Sequence, residues 1–123
     1  MKKTLISCAL IFLVSVWILS GCAPKSGTYG KALSETKTTA VSEISASPAN
    51  FSGKDVRLEG KIVQECPAGG WFMLKDNTGV IFVDLHPTQI AIPQAVGRNV
   101  TAQGKVKKEG NQVSVVGEGV ELK

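Results

Sequence analysis

The hydrophobic positions of this chain follow two different patterns, one near the N-terminus and one beyond residue 55. Residues 5–19 (LISCALIFLVSVWIL) form an almost unbroken apolar run. From residue 56 onward, apolar residues alternate with polar ones in short segments, which is the two-residue period of a strand with one buried face. The sequence therefore predicts an apolar N-terminal segment followed by a small domain built of strands.

Five short segments carry the strand pattern, and they are separated by turns that contain Gly, Pro, Asn or Asp. The loop at 76–79 (DNTG) is typical of a hairpin. The stretch 86–96 contains two prolines and predicts a loop or a helical turn. Upstream, Val41, Ile44 and Phe51 predict a short helix on the sheet, which Pro48 ends or restarts. The strands are predicted at 56–62, 71–74, 80–85, 100–106 and 113–122.

Five strands with a short connection after the third predict an OB-fold, an all-β barrel whose closed sheet leaves few free edges. Three stretches resemble small bacterial OB-fold domains, namely GKDVRLEGKIV at 53–63, FMLKDNTGVIFV at 72–83 and GRNVTAQG at 97–104. On these stretches the chain resembles the periplasmic bacterial OB-fold and tRNA-anti-like OB-fold groups, over about residues 42–123. The resemblance implies a fold and leaves the activity open.

The N-terminus has the three parts of a secretory signal, which are a basic start at Lys2 and Lys3, the apolar run and a small-residue cleavage site. That site, LSGC at 19–22, resembles the lipobox of bacterial lipoproteins. The resemblance implies cleavage between Gly21 and Cys22 and a diacylglycerol on the Cys22 thiol. An uncleaved membrane helix is the alternative, because the run approaches the roughly 18 apolar residues of a membrane span. Both interpretations place the domain on the extracytoplasmic (periplasmic) side, at the cell membrane or an outer membrane.

This cleavage divides the chain into a signal peptide at 1–21, a lipidated N-terminus with a tether at 22–40, and an OB-fold domain at 41–123. Residues 23–40 are rich in Ser, Thr, Gly, Lys and Ala, which predicts a flexible tether. The whole chain has a formal charge of +4, but residues 41–123 carry seven Lys and two Arg against nine acidic residues. A neutral domain disfavours a nucleic-acid partner, because nucleic-acid binders carry a basic excess.

Trp71 and Phe72 are adjacent in the second predicted strand, so they point to opposite faces. One is expected to fill the barrel and the other to lie on its outer surface, where OB-folds use aromatic side chains to stack bases or sugars. Lys105 and Lys107, beside Lys108, form a small basic cluster on the fourth strand. Trp71, Phe72, Lys105 and Lys107 are therefore the candidate ligand-binding residues. The alternative is an isolated surface aromatic and a solvated row of lysines.

A second hypothesis is a metal or redox site. Cys66, His86 and Met73 would supply a thiolate, an imidazole and a thioether, ligands that suit copper(I). Some extracytoplasmic relatives carry Cys-Pro-x-x-Cys-Trp at this loop, whereas this chain has Gly70 at the second cysteine position. The alternative is a buried thiol, a core methionine and a loop histidine.

The sequence predicts a binding or assembly module of the cell envelope that is not an enzyme and needs no cofactor. Its single histidine is not accompanied by a nucleophile elbow or by metal-hydrolase spacing. The expected partners are the membrane, through the N-terminal lipid, and envelope proteins or glycans. Metal binding through Cys66 is the first alternative function, and nucleic-acid binding, which the neutral charge disfavours, is the second.

Overall fold

A computed structural model describes residues 27–123. Alternating side chains produce the strands that the sequence predicts, and they begin and end close to the expected residues. Two short helices precede the barrel strands, because Pro48 starts a second helix directly after the first one ends. The elements are β1 (Gly27–Gly30), α1 (Val41–Ala46), α2 (Pro48–Phe51), β2 (Asp55–Glu65), β3 (Trp71–Lys75), β4 (Val80–Asp84), β5 (Asn99–Glu109) and β6 (Gln112–Leu122).

The strands β2 to β6 close into a barrel in the order β2-β3-β4-β6-β5, and β5 pairs with β2 to complete it. All the pairings are antiparallel except that of β4 with β6. This order, with its single parallel pair between the third and fifth barrel strands, is that of an OB-fold. The prediction of an all-β, five-stranded OB-fold barrel with a short N-terminal helix is confirmed.

In each strand, every second side chain points into the barrel, and these side chains fill its interior. The largest fully buried side chains include Phe72, Ile44, Leu58, Ile62 and Leu74. Helix α1 contributes Ile44 and Val41 to this core, so the helix packs onto the barrel as its apolar spacing predicts. Burial of such side chains contributes roughly 1.5–3 kcal/mol each, which makes the core the main source of stability in this small domain.

Strand β2 is long because it pairs with two neighbouring strands. Its first part pairs with β5 and its last part with β3, and Lys61 pairs with residues of both strands. Gly60 lies at this change of partner, where a Cβ atom would come within 2.4 Å of the Lys75 carbonyl oxygen. This close approach leaves no room for a side chain where β2 changes its partner, so the position requires a glycine.

Residues 27–40 differ from the flexible tether that their composition predicts. β1 pairs antiparallel with the last residues of β6, from Gly27 opposite Leu122 to Gly30 opposite Gly119. Residues 31–39, which we call the strap, then cross the outside of the barrel. Backbone and side-chain hydrogen bonds hold the strap, so its polar composition does not prevent it from being ordered. The ordered domain extends to at least residue 27, and the predicted start at residue 41 is too late.

Gln103 on β5 is the main side-chain contact of the strap. Its Oε1 atom accepts hydrogen bonds from the backbone N–H groups of Ser34 and Glu35, at 2.7 and 2.8 Å. Its Nε2 atom donates to Ser34 Oγ at 3.1 Å. Farther along the strap, the Thr39 N–H donates to the Arg57 carbonyl oxygen at 2.8 Å. The strap therefore covers part of the outer surface of β2, β5 and β6.

The predicted signal peptide, its cleavage site at Gly21 and Cys22, and the lipid site at Cys22 lie outside the described residues. Between residues 27 and 123, no helix is both long enough and apolar enough to cross a membrane.

Candidate functional site

An aromatic pair lies on the outer face of the β3–β4 hairpin. The ring centroids of Trp71 and Phe82 are 5.4 Å apart, with an angle of 37° between the ring planes. The two residues are diagonal neighbours, because Trp71 pairs with Asp84 and Met73 pairs with Phe82. All three apolar side chains are partly exposed. Tilted aromatic pairs at this distance attract each other, which fixes the orientation of the Trp71 ring.

A groove of about 430 Å³ adjoins this pair, between the β3–β4 hairpin and the β5–β6 hairpin. Met73 and Phe82 provide its apolar wall. Lys107 and Glu109 form an ion pair of 2.8 Å along its opposite side. The lining residues are Met73, Phe82, Asp84, Lys107, Glu109, Gln112, Val113 and Ser114. An apolar wall faced by carboxylate, amide and ammonium groups can hold a ring by its flat face and hydrogen-bond its edge.

The structure separates the four predicted ligand-binding residues. Lys107 lines the groove. Trp71 packs on Phe82 beside the groove and does not line it. Phe72 is fully buried and is one of the largest side chains of the core, so its assignment to the ligand-binding surface is wrong. The reason is the strand alternation, which turns Phe72 inward where Trp71 turns outward.

Lys105 does not line the groove, because it pairs with Asp55 on β2. Its Nζ atom donates to the two Asp55 carboxylate oxygens at 3.0 and 3.2 Å. That hydrogen bond, together with the nearby negative charge, raises the pKa of Lys105. The Glu109 carboxylate raises the pKa of Lys107 in the same way, and Asp84 adds to the effect. Two of the three lysines in the basic cluster are therefore already paired with carboxylates.

The loop between β2 and β3 is held on both sides beside Trp71. The Cys66 N–H donates to the Trp71 carbonyl oxygen at 3.0 Å, and the Gly69 N–H donates to the Cys66 carbonyl oxygen at 2.8 Å. From the connection after β4, the Ile92 N–H donates to the Gly69 carbonyl oxygen at 3.1 Å. The backbone of this loop is thus preorganised at one end of the aromatic face.

Gly70 lies against the imidazole of His86. A Cβ atom at position 70 would be 2.6 Å from His86 Nε2, so the ring occupies the space that a side chain at this position would need. His86 itself is exposed, and its Nδ1 atom is 2.9 Å from Asp84 Oδ1. This chain has Gly70 at the position of the second cysteine, and the His86 ring packs over that glycine.

The three candidate metal ligands lie on different parts of this region. Cys66 is a half-buried free thiol in the β2–β3 loop, Met73 lines the groove and His86 follows β4. Within the part of the chain that the structure describes, no three His, Cys, Asp or Glu residues are grouped so that they could hold a metal ion. The sequence-based analysis missed Phe82 at this face, although Phe82 supplies the second ring of the aromatic pair.

Comparison with known proteins adds information about the fold. No protein-family model matches the chain, and none of the curated proteins matches it either. Among solved structures, the chain is similar to the hypothetical protein ygiW from E. coli, with a TM-score of 0.54 and 22% sequence identity. The match covers 72% of this chain and 91% of that one. At this identity the likeness supports the same barrel architecture.

Proposed function

We propose that this chain is a non-enzymatic binding module of the bacterial cell envelope. A lipid on Cys22 holds it at a membrane, and the outer face of β3 and β4 binds its ligand. The single observation that carries the ligand site is the Trp71–Phe82 pair beside an open groove. OB-folds bind ligands on this face, between the loop that joins their first two strands and the loop that joins their last two.

The groove favours a glycan ligand. Sugar rings have apolar faces that pack on aromatic rings, and their hydroxyl groups need acceptors and donors around the edge. The Trp71–Phe82 pair supplies the apolar surface, and Asp84, Gln112 and Lys107 supply the polar groups. Extracytoplasmic display would place the groove among the amino-sugar polymers of the envelope. Enzymatic turnover of such a polymer is not part of the proposal.

The two alternative functions have less support from the described residues. A copper site would draw Cys66, Met73 and His86 from the β2–β3 loop, from β3 and from the segment after β4. Between residues 27 and 123, no three His, Cys, Asp or Glu residues are grouped so that they could hold a metal ion. A nucleic-acid site would need free cations along the groove. Lys105 and Lys107 are instead paired with Asp55 and Glu109, which reduces the attraction for phosphates.

The chain offers a direct reporter for the proposed site. It contains two tryptophans, Trp17 and Trp71, and Trp17 belongs to the predicted signal peptide. In residues 22–123 the tryptophan fluorescence, excited selectively at 295 nm, therefore comes from Trp71 alone. Titration of this chain with tri-N-acetylchitotriose, an amino-sugar oligomer, is expected to give a saturable change in fluorescence. Phe82→Ala should weaken binding at least tenfold, whereas Lys105→Ala, which changes a lysine outside the groove, should leave it unchanged.

Two results would contradict the proposal. A fluorescence change that Phe82→Ala and Lys105→Ala affect equally would place binding elsewhere. Fluorescence that does not respond up to millimolar sugar, confirmed by calorimetry, would exclude amino-sugar glycans as the ligand of this face. A copper(I) titration with a Cys66→Ser control tests the first alternative function, since a metal site requires cysteine-dependent stoichiometric binding.

A further inference from the structure

A second surface lies at the other end of the β2–β3–β4 sheet, and its centre is a pair of like charges. Lys61 on β2 is directly opposite Lys75 on β3. Like charges at directly opposed positions of two strands repel each other. Lys123 completes a group of three lysines that line one cavity of about 660 Å³, with Asn77 and Asn99. In residues 27–123, none of these three ammonium groups forms an ion pair.

The acidic groups of this cavity already have partners. Glu59 accepts a hydrogen bond of 2.9 Å from Arg57, and this bond lowers the pKa of Glu59. Asp76 is partly buried, which would raise its pKa, but hydrogen bonds from Thr78, Val41 and Gly79 outweigh burial and lower it. Both carboxylates are thus held in place by neighbouring donors. The charge of Lys123 also lowers the pKa of Glu59, so Lys61 and Lys75 are the lysines most available to an external anion.

Exposed aliphatic side chains surround the lysine pair. The large hydrophobic residues with exposed side chains in residues 27–123 are Val63, Val80 and Val96, at 42%, 45% and 59% exposure. Val80 is directly opposite Lys75. Val63 lies at the irregularity in β2 between the residues that pair with β3. Val96 precedes Gly97, whose N–H donates to the Ile62 carbonyl oxygen at 2.7 Å, so its loop adjoins the same part of β2.

We call this surface the lysine end and define it by Lys61, Val63, Lys75, Val80, Val96 and Lys123. Lysines interleaved with exposed aliphatic groups are typical of surfaces that lie on membranes, where the ammonium groups meet phosphates and the aliphatic groups enter the interface.

The course of the chain brings a lipid on Cys22 to the same end of the barrel. Gly27 is opposite Leu122, and β1 runs antiparallel to β6. The chain that precedes Gly27 therefore joins the barrel where β6 ends, next to Lys123. From Cys22 to Gly27 there are five residue steps, which span at most about 18 Å when fully extended. A lipid on Cys22 would hold the lysine end close to the lipid headgroups.

We propose that the lysine end is a membrane-docking surface that binds the phosphate groups of anionic phospholipids. The orientation that results rests on the proposed lipid anchor, whereas affinity for the headgroups does not. Lys75 and Trp71 are at opposite ends of β3, roughly 13 Å apart along the strand. If Lys61 and Lys75 lie on the membrane, the groove beside the Trp71–Phe82 pair is at the end of the hairpin that is farther from the membrane.

Vesicle sedimentation tests the proposal with the unacylated chain 22–123 that carries Cys22→Ser. Vesicles of phosphatidylcholine with 40% phosphatidylglycerol are compared with vesicles of phosphatidylcholine alone, at 20 mM salt. The chain is expected to bind the anionic vesicles, and binding should weaken as salt is added. Removal of the two lysines as Lys61→Ala/Lys75→Ala should weaken partitioning about 25-fold, since each lysine near an anionic surface is worth about fivefold.

The matched control is Lys54→Ala/Lys108→Ala, which removes the same charge from the opposite end of the barrel. Equal weakening by the two double variants would overturn the proposal, because net charge alone would then govern binding. Unchanged binding of Lys61→Ala/Lys75→Ala would overturn it as well. Saturable binding of inorganic phosphate at the lysine end, without vesicle binding, would also overturn the proposal. The lysine end would then bind a soluble phosphate and not a membrane.

These outcomes are separable from failure of the proposed function. The Trp71 titration and the mass of the native N-terminus report on the groove and on the anchor, and neither requires Lys61 or Lys75. Circular dichroism of each double variant checks that the barrel is retained, which is expected because all four lysines are exposed.

Discussion

The backbone N–H of Val41, the first residue of α1, donates a hydrogen bond of 2.9 Å to Oδ2 of Asp76 in the β3–β4 loop. The other carboxylate oxygen of Asp76 accepts from the N–H groups of Thr78 and Gly79 and from the Thr78 hydroxyl. The residue before the helix is Ala40, whose side chain cannot cap it. Asp76 therefore closes the hairpin loop and caps a helix that is distant in sequence.

Asp76→Asn is expected to destabilise the domain by about 1–2 kcal/mol at pH 7, the usual cost of losing a cap and a charge-assisted hydrogen bond. The folded-state pKa of Asp76 is lowered, so its stabilisation is present above the unfolded-state pKa and is lost as pH falls through the folded-state pKa. The difference between Asp76→Asn and the native chain should therefore shrink as the pH falls below about 4.

Urea unfolding at pH 7 and at pH 3 measures this difference. Asp55→Asn is a suitable control, because Asp55 is exposed and pairs only with Lys105 on the surface. A difference between Asp76→Asn and the native chain that is the same at both pH values would show that the hydrogen bonds do not lower the pKa of Asp76 in the folded state.

Gln103→Leu is expected to release the strap. It removes the acceptor for the partly buried N–H groups of Ser34 and Glu35, and each hydrogen bond that is lost costs about 1 kcal/mol. The strap can avoid that cost by leaving the barrel. Hydrogen exchange at Ser34 and Glu35 should then accelerate, while exchange in the β3–β4 hairpin stays slow. Exchange at Ser34 and Glu35 that is already unprotected in the native chain would show that the strap does not pack on Gln103.

Trp71 and Phe72 are expected to differ sharply in their effect on stability. Phe72→Ala leaves a cavity in the core and should cost about 3–5 kcal/mol. Trp71→Ala removes a half-buried ring and its contact with Phe82, and should cost about 1–2 kcal/mol. Because this variant has lost the fluorescent reporter, its expected loss of sugar binding is measured by calorimetry. Urea unfolding of both variants, followed by circular dichroism, measures the contrast. Equal destabilisation would contradict the placement of Trp71 on the outer face.

The barrel could be predicted from the sequence because its strands are short, alternating and separated by turn residues. The position of Phe82 could also be predicted, by counting residue pairs outward from the β3–β4 loop. A loop at 76–79 pairs Lys75 with Val80, and counting back along both strands pairs Met73 with Phe82. That count would have identified the second aromatic residue of the face, since Phe82 then lies beside Trp71.

The ordered segment before Val41 could not be predicted from hydropathy. Strand β1 is held by backbone pairing to the end of β6, and the strap is held by polar contacts such as those of Gln103. Neither interaction leaves an apolar pattern in the sequence. Gln103 occupies an outward position of its strand, and only the packed strap makes it a buried residue.

The lysine end could not be predicted from the sequence either, because its residues are distant from one another along the chain. The pairing of β2 with β3 places Lys61 opposite Lys75. Lys123 follows β6, and only the closed barrel brings it to the same cavity. The lysine cluster that is visible in the sequence, at 105–108, is instead largely paired with acidic residues.

The proposed placement of this domain at a membrane depends on the chemistry of Cys22. Intact-mass spectrometry of the native protein, purified in detergent from bacterial membranes, measures it directly. The expected mass is that of residues 22–123 plus a diacylglycerol group. Cys22→Ala should lose the lipid and the salt-resistant membrane association, and should keep at most the salt-sensitive binding of the lysine end. A native protein that retains residues 1–21, or that carries an unmodified Cys22, would contradict the lipid anchor.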